Sequence, residues 1–220
     1  MFGIDDAFEL KRVEDPVSYF DIHGENFQEI VEMVRASFGS LMTEKDIYNH
    51  LINPAKLFLA KNGGIVVVMY AYTPINLLGE RVLYIDGVAV HPQFQARGIF
   101  SKATLEALDG QKIIGLRTQN PQMHRALEKF CHTICPSRKV DYSLQLIKFR
   151  DALADFLGME IDSRGVSRGF YGKSLYPIIP FHQTSSALFE TLLKVDYALG
   201  DSVVCVGLLR DEDIKEAWRE

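Results

Sequence analysis

Long apolar runs, a disulfide framework and an excess of basic charge are all missing from this 220-residue chain. Its longest apolar run, residues 65–71, is far shorter than the ~18–20 residues that span a membrane, and its acidic start lacks the basic flank and apolar block of a signal peptide. Three cysteines are an odd and sparse set, which argues against a disulfide scaffold and for a reducing compartment. A net charge of −5 argues against a nucleic-acid partner. We therefore expect a soluble, cytoplasmic protein that binds neither nucleic acid nor membrane.

Glycine and proline are not enriched either. The chain has 16 glycines and 8 prolines among its 220 residues. Together they make up about 11% of the chain, close to the globular average of roughly 12%. This excludes collagen-like, low-complexity and largely disordered chains. A chain of this length buries roughly 70% of the surface that its unfolded form exposes, so we expect residues 1–220 to form a single domain. Both a monomer and a homodimer are compatible with the sequence.

Apolar periodicity and turn signals predict alternating strands and helices. Apolar residues at helical spacing from Phe27 predict a helix that ends at Gly39. Thr43, with Asp46 three residues later, is a capping box that opens a second helix. Asn120 and Pro121 form a strong helix start, because Asn caps free amides and Pro loses no needed hydrogen bond there. The other elements predicted in the first part of the chain are strands at 8–13, 56–60, 65–72, 82–90 and 112–118 and a helix at 98–108.

Residues 1–132 therefore follow the order β-α-α-β-β-β-α-β-α. The remainder of the chain is less regular. The predicted elements there are a helix within 141–157, a strand near 166–171, a helix at 185–195 and a strand at 203–209. Strands interleaved with helices indicate the α/β class.

The segment at residues 84–101 is the most informative for function. An apolar strand ends at Pro92, and a short loop leads into a helix at Gly98. Amides at a helix start are unpaired and lie at the positive end of the helix dipole, which suits a phosphate or pyrophosphate. An ordinary strand-loop-helix connection is the alternative interpretation. The glycine spacing fits neither a Walker A loop nor a dinucleotide-binding fingerprint.

Two adjacent motifs here resemble motif A of the GNAT superfamily, the acyl-CoA-dependent N-acetyltransferases: Val88-Ala89-Val90-His91-Pro92 and Gln95-Ala96-Arg97-Gly98-Ile99-Phe100. The predicted element order matches that family over roughly residues 8–132. The resemblance implies a GNAT-like α/β fold, with a mixed, mostly antiparallel central sheet of about seven strands flanked by helices. It also implies extra helices in the C-terminal part, where residues 133–202 form a variable segment that completes the sheet and the acceptor site.

The resemblance implies acetyl-CoA as cosubstrate and an amine, on a small molecule or a protein, as acceptor. Asn120 matches an asparagine that follows the fifth strand near the cofactor in relatives. The backbone of Val88, Ala89 and Val90 is implied to pair with the pantetheine arm. The amides implied to hold the pyrophosphate are those of Gln95, Ala96, Arg97, Gly98, Ile99, Phe100 and Ser101.

The chain departs from the family pattern at two places. Phe100 stands where motif A has Gly or Ala, and the helix after Asn120 lacks the tyrosine common in the family. Both departures motivate one alternative, an acyl-CoA-binding module that senses its ligand without turnover. A second alternative is an N-acyltransferase that uses a longer acyl chain.

Acetyl transfer to an amine defines the candidate catalytic residues. The amine, with a pKa near ~10.4, must first lose a proton, and a carboxylate can accept it. Asp86 is the candidate base because it interrupts an apolar strand, and Tyr84 shares its face; a structurally paired acid is the alternative. His124 is the candidate for the proton donor in place of the missing tyrosine, against the alternative of a solvated helix residue. The amide of Val88 or Val90 can polarise the acetyl carbonyl.

The cysteines offer no competing chemistry. Cys131-His132-x-x-Cys135 matches no standard zinc-binding pattern, so we expect no metal. Cys205 lies in an apolar strand, where a buried hydrophobic side chain is the simplest interpretation.

Overall fold

The computed structural model describes residues 9–39, 42–138 and 144–210, and the structural statements below concern these residues. Its strands are β1 (Lys11–Val13), β2 (Lys56–Asn62), β3 (Ile65–Leu77), β4 (Glu80–Val90), β5 (Ile113–Thr118), β6 (Cys131–Cys135), β7 (Val166–Ser167) and β8 (Ser202–Leu209). Its α-helices are α1 (Pro16–Tyr19), α2 (Glu25–Phe38), α3 (Glu44–Ile52), α4 (Ile99–Ala107), α5 (Pro121–Phe130), α6 (Leu144–Phe156) and α7 (Gln183–Ala187). A 3-10 turn covers Pro92–Phe94, and a π-helix covers Leu188–Leu193.

The strands form a mixed sheet in the hydrogen-bonded order β1-β2-β3-β4-β5-β8-β6, with β7 paired to β8. β4 and β5 are parallel, and their register joins residues 82–85 to residues 113–116. The pairs β1–β2, β2–β3, β5–β8, β6–β8 and β7–β8 are antiparallel. This confirms the predicted α/β class with a mixed, mostly antiparallel sheet, which has eight strands among the described residues rather than about seven.

The additional strand is β6, which the sequence pattern missed. Cys131 ends α5 in an extended conformation, with φ −99° and ψ 150°, so the strand follows the helix with no turn between them. A strand that begins without a glycine, proline or polar cluster has no boundary signal in the sequence.

The helix boundaries follow the capping signals. α2 ends at Gly39, whose φ of 63° is the left-handed conformation typical of a helix C-terminus. The Thr43 side chain accepts a hydrogen bond from the amide of Asp46 at the start of α3, and Asn120 caps α5 through the amide of Gln122. These helix starts and ends are confirmed.

Two other predicted strands are shorter than expected. β1 begins at Lys11 rather than at residue 8, and Phe8 lies outside the described residues. β7 ends at Ser167 rather than at residue 171. Gly169 and Gly172 have φ values of 63° and 66°, and these left-handed conformations interrupt an extended strand.

The described residues group into two compact units, each of which we describe by itself. The first unit lies within Met1–Tyr72 and Asp86–Ile99, and the second within Thr73–Ile85 and Phe100–Glu220. The prediction of a single domain over residues 1–220 stays a prediction. Among the described residues, no helix has the length and apolar character to cross a membrane.

Each unit has its own apolar core. In the first unit, Phe27 of α2 and Ile47 of α3 are buried in a cluster with Leu57 of β2 and Met69 of β3. In the second unit, Phe149 of α6 belongs to a buried cluster with side chains of β4, β5 and β8. Complete burial of each such side chain contributes roughly 1.5–3 kcal/mol. The cluster of the first unit also includes Ala89, one residue before the end of β4.

Candidate functional site

The turn that follows β4 has a defined conformation. The His91 amide donates to the Val67 carbonyl (2.9 Å), which keeps the chain on β3 as β4 ends. The His91 ring accepts a weak hydrogen bond from the Gln93 amide (3.4 Å) at the start of the 3-10 turn. His91 is therefore a turn residue, and the next loop begins from a fixed position.

That loop, residues 95–98, contains two left-handed residues. Ala96 has a φ of 62° and Gly98 a φ of 76°. For Ala96 this conformation costs roughly 1–2 kcal/mol. Successive amides beside left-handed residues can line an anion-binding concavity. All four loop residues are exposed, so a ligand can reach their backbone.

The loop leads directly into the first turn of α4. Ile99 is 6% exposed and packs against Ala60, Val67 and Val68, so the helix start is anchored on β2 and β3. The amides of the first helical turn have no acceptor within the helix and lie at the positive end of its dipole. A side chain built onto Gly98 would meet nothing within 4 Å, so a ligand can approach the backbone closely there. These residues fit a phosphate or pyrophosphate group.

The side chains of the loop bond the loop itself. Arg97 donates to the Gln93 carbonyl (3.0 Å), and its guanidinium lies 4.9 Å from the Phe94 ring centre. Gln95 donates from its side-chain amide to the Val90 carbonyl (3.0 Å). In this structure, then, the Gln95 and Arg97 side chains stabilise the loop conformation, which leaves backbone amides as the candidate donors to an anion. Ser101 is exposed and Phe100 is half-buried.

Val90, the last residue of β4, has all of its backbone hydrogen-bonding groups occupied. Ser37 of α2 accepts from the Val90 amide (3.0 Å) through its hydroxyl oxygen and donates to the Val90 carbonyl (2.9 Å). The second acceptor position of that carbonyl takes the Gln95 side chain. Ala89 is buried and Val88 is half-exposed. Sequence reasoning missed Ser37, which lies 53 residues before Val90.

The two predicted catalytic residues of β4 have different surroundings. Asp86 is half-buried, which leaves part of the side chain in contact with solvent. Tyr84 is 3% exposed and belongs to the apolar cluster that contains Ile113 and Phe149. Asp86 is therefore the better placed of the two for proton transfer, while the Tyr84 ring contributes to the core.

Asn120 connects the end of β5 to the C-terminal segment. Its side-chain oxygen accepts from the Gln122 amide (2.8 Å), and its side chain also hydrogen-bonds the Tyr176 hydroxyl. Burial raises the pKa of Tyr176 far above its usual value, so the hydroxyl stays protonated. Sequence reasoning did not predict this contact, because Tyr176 lies in the irregular part of the chain.

Gln119, a second residue that sequence reasoning missed, holds the same segment. It is 1% exposed, and its side-chain oxygen accepts from the Leu175 amide (2.9 Å). Its amide nitrogen lies 3.5 Å from the Lys173 carbonyl. A buried amide side chain must find such partners, and these partners fix residues 173–175 beside the end of β5. The only signal in the sequence is a polar residue directly after an apolar strand.

His124 occupies a structural position rather than the solvated one considered from the sequence. It is 2% exposed, its Nε2 lies 2.9 Å from the Pro136 carbonyl oxygen, and its ring packs edge-on against Phe189. Because a carbonyl only accepts, Nε2 carries the proton of a neutral imidazole. Burial lowers the His124 pKa. We therefore assign His124 a structural role.

The cysteines are all buried in the second unit. Cys131, Cys135 and Cys205 are each no more than 3% exposed. Burial raises the pKa of the Cys135 thiol to about 11, so it is not a ready thiolate ligand or nucleophile. Within the described parts of the chain, no group of three or more His, Cys, Asp or Glu side chains is arranged to hold a metal ion.

No family model matches the chain, and no curated protein matches it. Several solved structures of GNAT-family acetyltransferases are similar to it. One, from Elizabethkingia anophelis with acetyl-CoA bound, is 15% identical with a TM-score of 0.44, over 93% of this chain and 100% of that one. The IAA acetyltransferase of Bacillus cereus is 14% identical with a TM-score of 0.45, over 92% of this chain and 100% of that one.

A third similar structure is a Brucella melitensis GNAT family acetyltransferase in complex with acetyl-CoA. It is 19% identical with a TM-score of 0.37, over 54% of this chain and 81% of that one.

Proposed function

We propose that the chain is an N-acetyltransferase that moves the acetyl group of acetyl-CoA to a primary amine by direct attack in a ternary complex. The observation that carries the proposal is the loop between β4 and α4. Its motif Gln95-Ala96-Arg97-Gly98 adopts a strained, exposed conformation with two left-handed residues and leads into a helix N-terminus. Strain of this kind is concentrated at functional sites, and a pyrophosphate is the anion that this loop and motif suit.

The same segment supplies the groups that the reaction needs. The amides of residues 95–101 bind the pyrophosphate, and the backbone of residues 88–90 binds the pantetheine arm by strand-like pairing. The amide of Val88 then polarises the acetyl carbonyl, where negative charge develops during attack. Acetyl-CoA supplies the activated thioester, and the residues of the chain orient it and remove the proton of the amine. As the new C–N bond forms, the C–S bond breaks, and the CoA thiolate leaves and takes up a proton from solvent.

Asp86 is the residue that we assign as general base. The acceptor amine is protonated at neutral pH, and the half-buried Asp86 carboxylate accepts that proton directly or through one water. The net charge of the chain is −5. This charge balance favours a cationic acceptor. Tyr84 retains a positioning role on the same face of β4.

Calorimetric titration of acetyl-CoA tests the proposal, with dephospho-CoA and octanoyl-CoA as comparators. We expect acetyl-CoA to bind with micromolar affinity, and dephospho-CoA to bind comparably because it keeps the pyrophosphate. Thiol release is then measured with a panel of primary amines. Absence of binding to any CoA species would overturn the proposal. Binding without thiol release would favour the sensor alternative, and stronger binding of octanoyl-CoA would favour a longer-chain acyltransferase.

Gly98→Ala should weaken acetyl-CoA binding about tenfold, or roughly 1.4 kcal/mol. The new Cβ would occupy the open space from which a phosphate approaches the backbone, at a residue with a φ of 76°. Gly79→Ala is the matched control, since Gly79 lies in the turn between β3 and β4 with a φ of 85°, and an added Cβ would likewise meet nothing within 4 Å. Both variants should lose similar stability, measured by urea unfolding. Equal loss of affinity in both would contradict the assignment of the loop.

A further inference from the structure

At the end of β4, the Ser37 side chain makes the hydrogen bonds that a neighbouring strand would make. Its single hydroxyl both accepts from the Val90 amide (3.0 Å) and donates to the Val90 carbonyl (2.9 Å). This is the pair of bonds that one residue of an adjacent strand would make. Because Gln95 also donates to the same carbonyl, the one donor and both acceptor positions of Val90 are occupied.

The direction of these groups follows from the next residue. The His91 amide donates to the Val67 carbonyl on β3. Successive residues of a strand direct their hydrogen-bonding groups to opposite edges, so the Val90 groups face away from β3. An extended chain of amides that pairs along this edge of β4 therefore meets the Ser37 hydroxyl at Val90.

We infer that Ser37 is a displaceable latch on this edge of β4, and that its removal from Val90 is part of acetyl-CoA binding and sets the affinity. The inference rests on the proposed function, because the pantetheine arm is the amide chain that would pair there. Rotation about the Ser37 χ1 bond releases both hydrogen bonds without movement of α2. In the free protein, the backbone amide and carbonyl of Val90 are therefore already hydrogen-bonded. The cofactor must replace the Ser37 bonds with its own.

Ser37→Ala should bind acetyl-CoA about tenfold more tightly than the wild type, since only the wild type gives up two side-chain hydrogen bonds on binding. Ser37→Thr keeps the hydroxyl and should resemble the wild type. Thr43→Ala is the control, because it also removes a side chain that accepts from a backbone amide in the first unit, but at the start of α3. Calorimetry gives the three dissociation constants.

The Val90 amide provides a second measurement that does not depend on turnover. In an NMR correlation spectrum, its signal in the free protein should differ between the wild type and Ser37→Ala. The two signals should converge when acetyl-CoA saturates both proteins. A purely structural role for Ser37 would leave a constant difference between them. If Ser37→Ala does not fold, Ser37→Cys preserves the shape with a weaker donor and should shift the affinity in the same direction.

The outcomes separate this inference from the proposed function. Equal or weaker acetyl-CoA binding by Ser37→Ala, with normal binding by the wild type, overturns the latch and leaves the acetyltransferase proposal intact. Failure of the wild type and all variants to bind any CoA species overturns both. Tighter binding by Ser37→Ala with unchanged binding by Thr43→Ala supports the latch.

Discussion

Asp86→Asn is expected to lower the rate of acetyl transfer by roughly 10²–10⁴-fold, the range that general acid-base catalysis supplies. The amide has nearly the shape of the carboxylate but cannot accept a proton from the amine. Acetyl-CoA affinity should change little, because the cofactor is bound by the backbone of β4 and of the loop that follows. Thiol release under initial-rate conditions and calorimetry of acetyl-CoA measure the two quantities separately.

The pH dependence distinguishes a lost base from a distorted site. In Asp86→Asn, the rate should rise with pH as the fraction of deprotonated amine grows, up to the pKa of the acceptor. A distorted site would keep a low rate at every pH. Asp155→Asn, at an exposed position on α6, is the control for removal of a carboxylate and should keep the wild-type rate. An unchanged rate in Asp86→Asn would show that the base lies elsewhere.

Much of the first part of the fold could be predicted because its signals are local. The Thr43 and Asn120 caps and the left-handed Gly39 lie within a few residues of the helix ends that they define. The hairpin between β2 and β3 is equally local, since Gly63 and Gly64 have φ values of 58° and 86°. Each of these residues determines the backbone conformation or the hydrogen bonding of its immediate neighbours. A short stretch of sequence is therefore enough to predict the local structure.

The candidate site was only partly predictable because its remaining contacts are long-range. The motif located the loop at residues 95–98. In the sequence, however, nothing distinguishes Ser37 from other helix serines, because its contact with Val90 forms only in the folded chain. The contact between Gln119 and residues 173–175 likewise joins distant positions. Burial changed the interpretation of His124 for a related reason: its apolar surroundings come from Phe189, which is distant along the chain. The spacing of residues along the chain does not indicate such contacts.

Asp201→Ala is expected to lower the free energy of unfolding by roughly 1–3 kcal/mol, the usual cost of leaving a hydrogen-bond donor without its acceptor. Asp201 is completely buried and accepts from the Gly169 and Asp196 amides, at 2.9 Å each, as well as from Arg168. Burial opposes its ionisation, but these hydrogen bonds outweigh that effect and lower its pKa. The urea midpoint, with an unchanged slope, measures the loss.

The expected size of the loss follows from what Asp201 holds together. Arg168 also bonds the Asp162 carboxylate and the Lys194 carbonyl and keeps both partners, so loss of Asp201 leaves the Gly169 and Asp196 amides without their acceptor. Asp109→Ala removes a carboxylate from an ion pair with Arg81 of similar length, but Asp109 is 84% exposed. That pair should contribute no more than about 1 kcal/mol. Equal losses in the two variants would contradict the central role of Asp201. A larger loss in Asp201→Ala would show that the buried carboxylate holds residues 168–169 and 194–196 together.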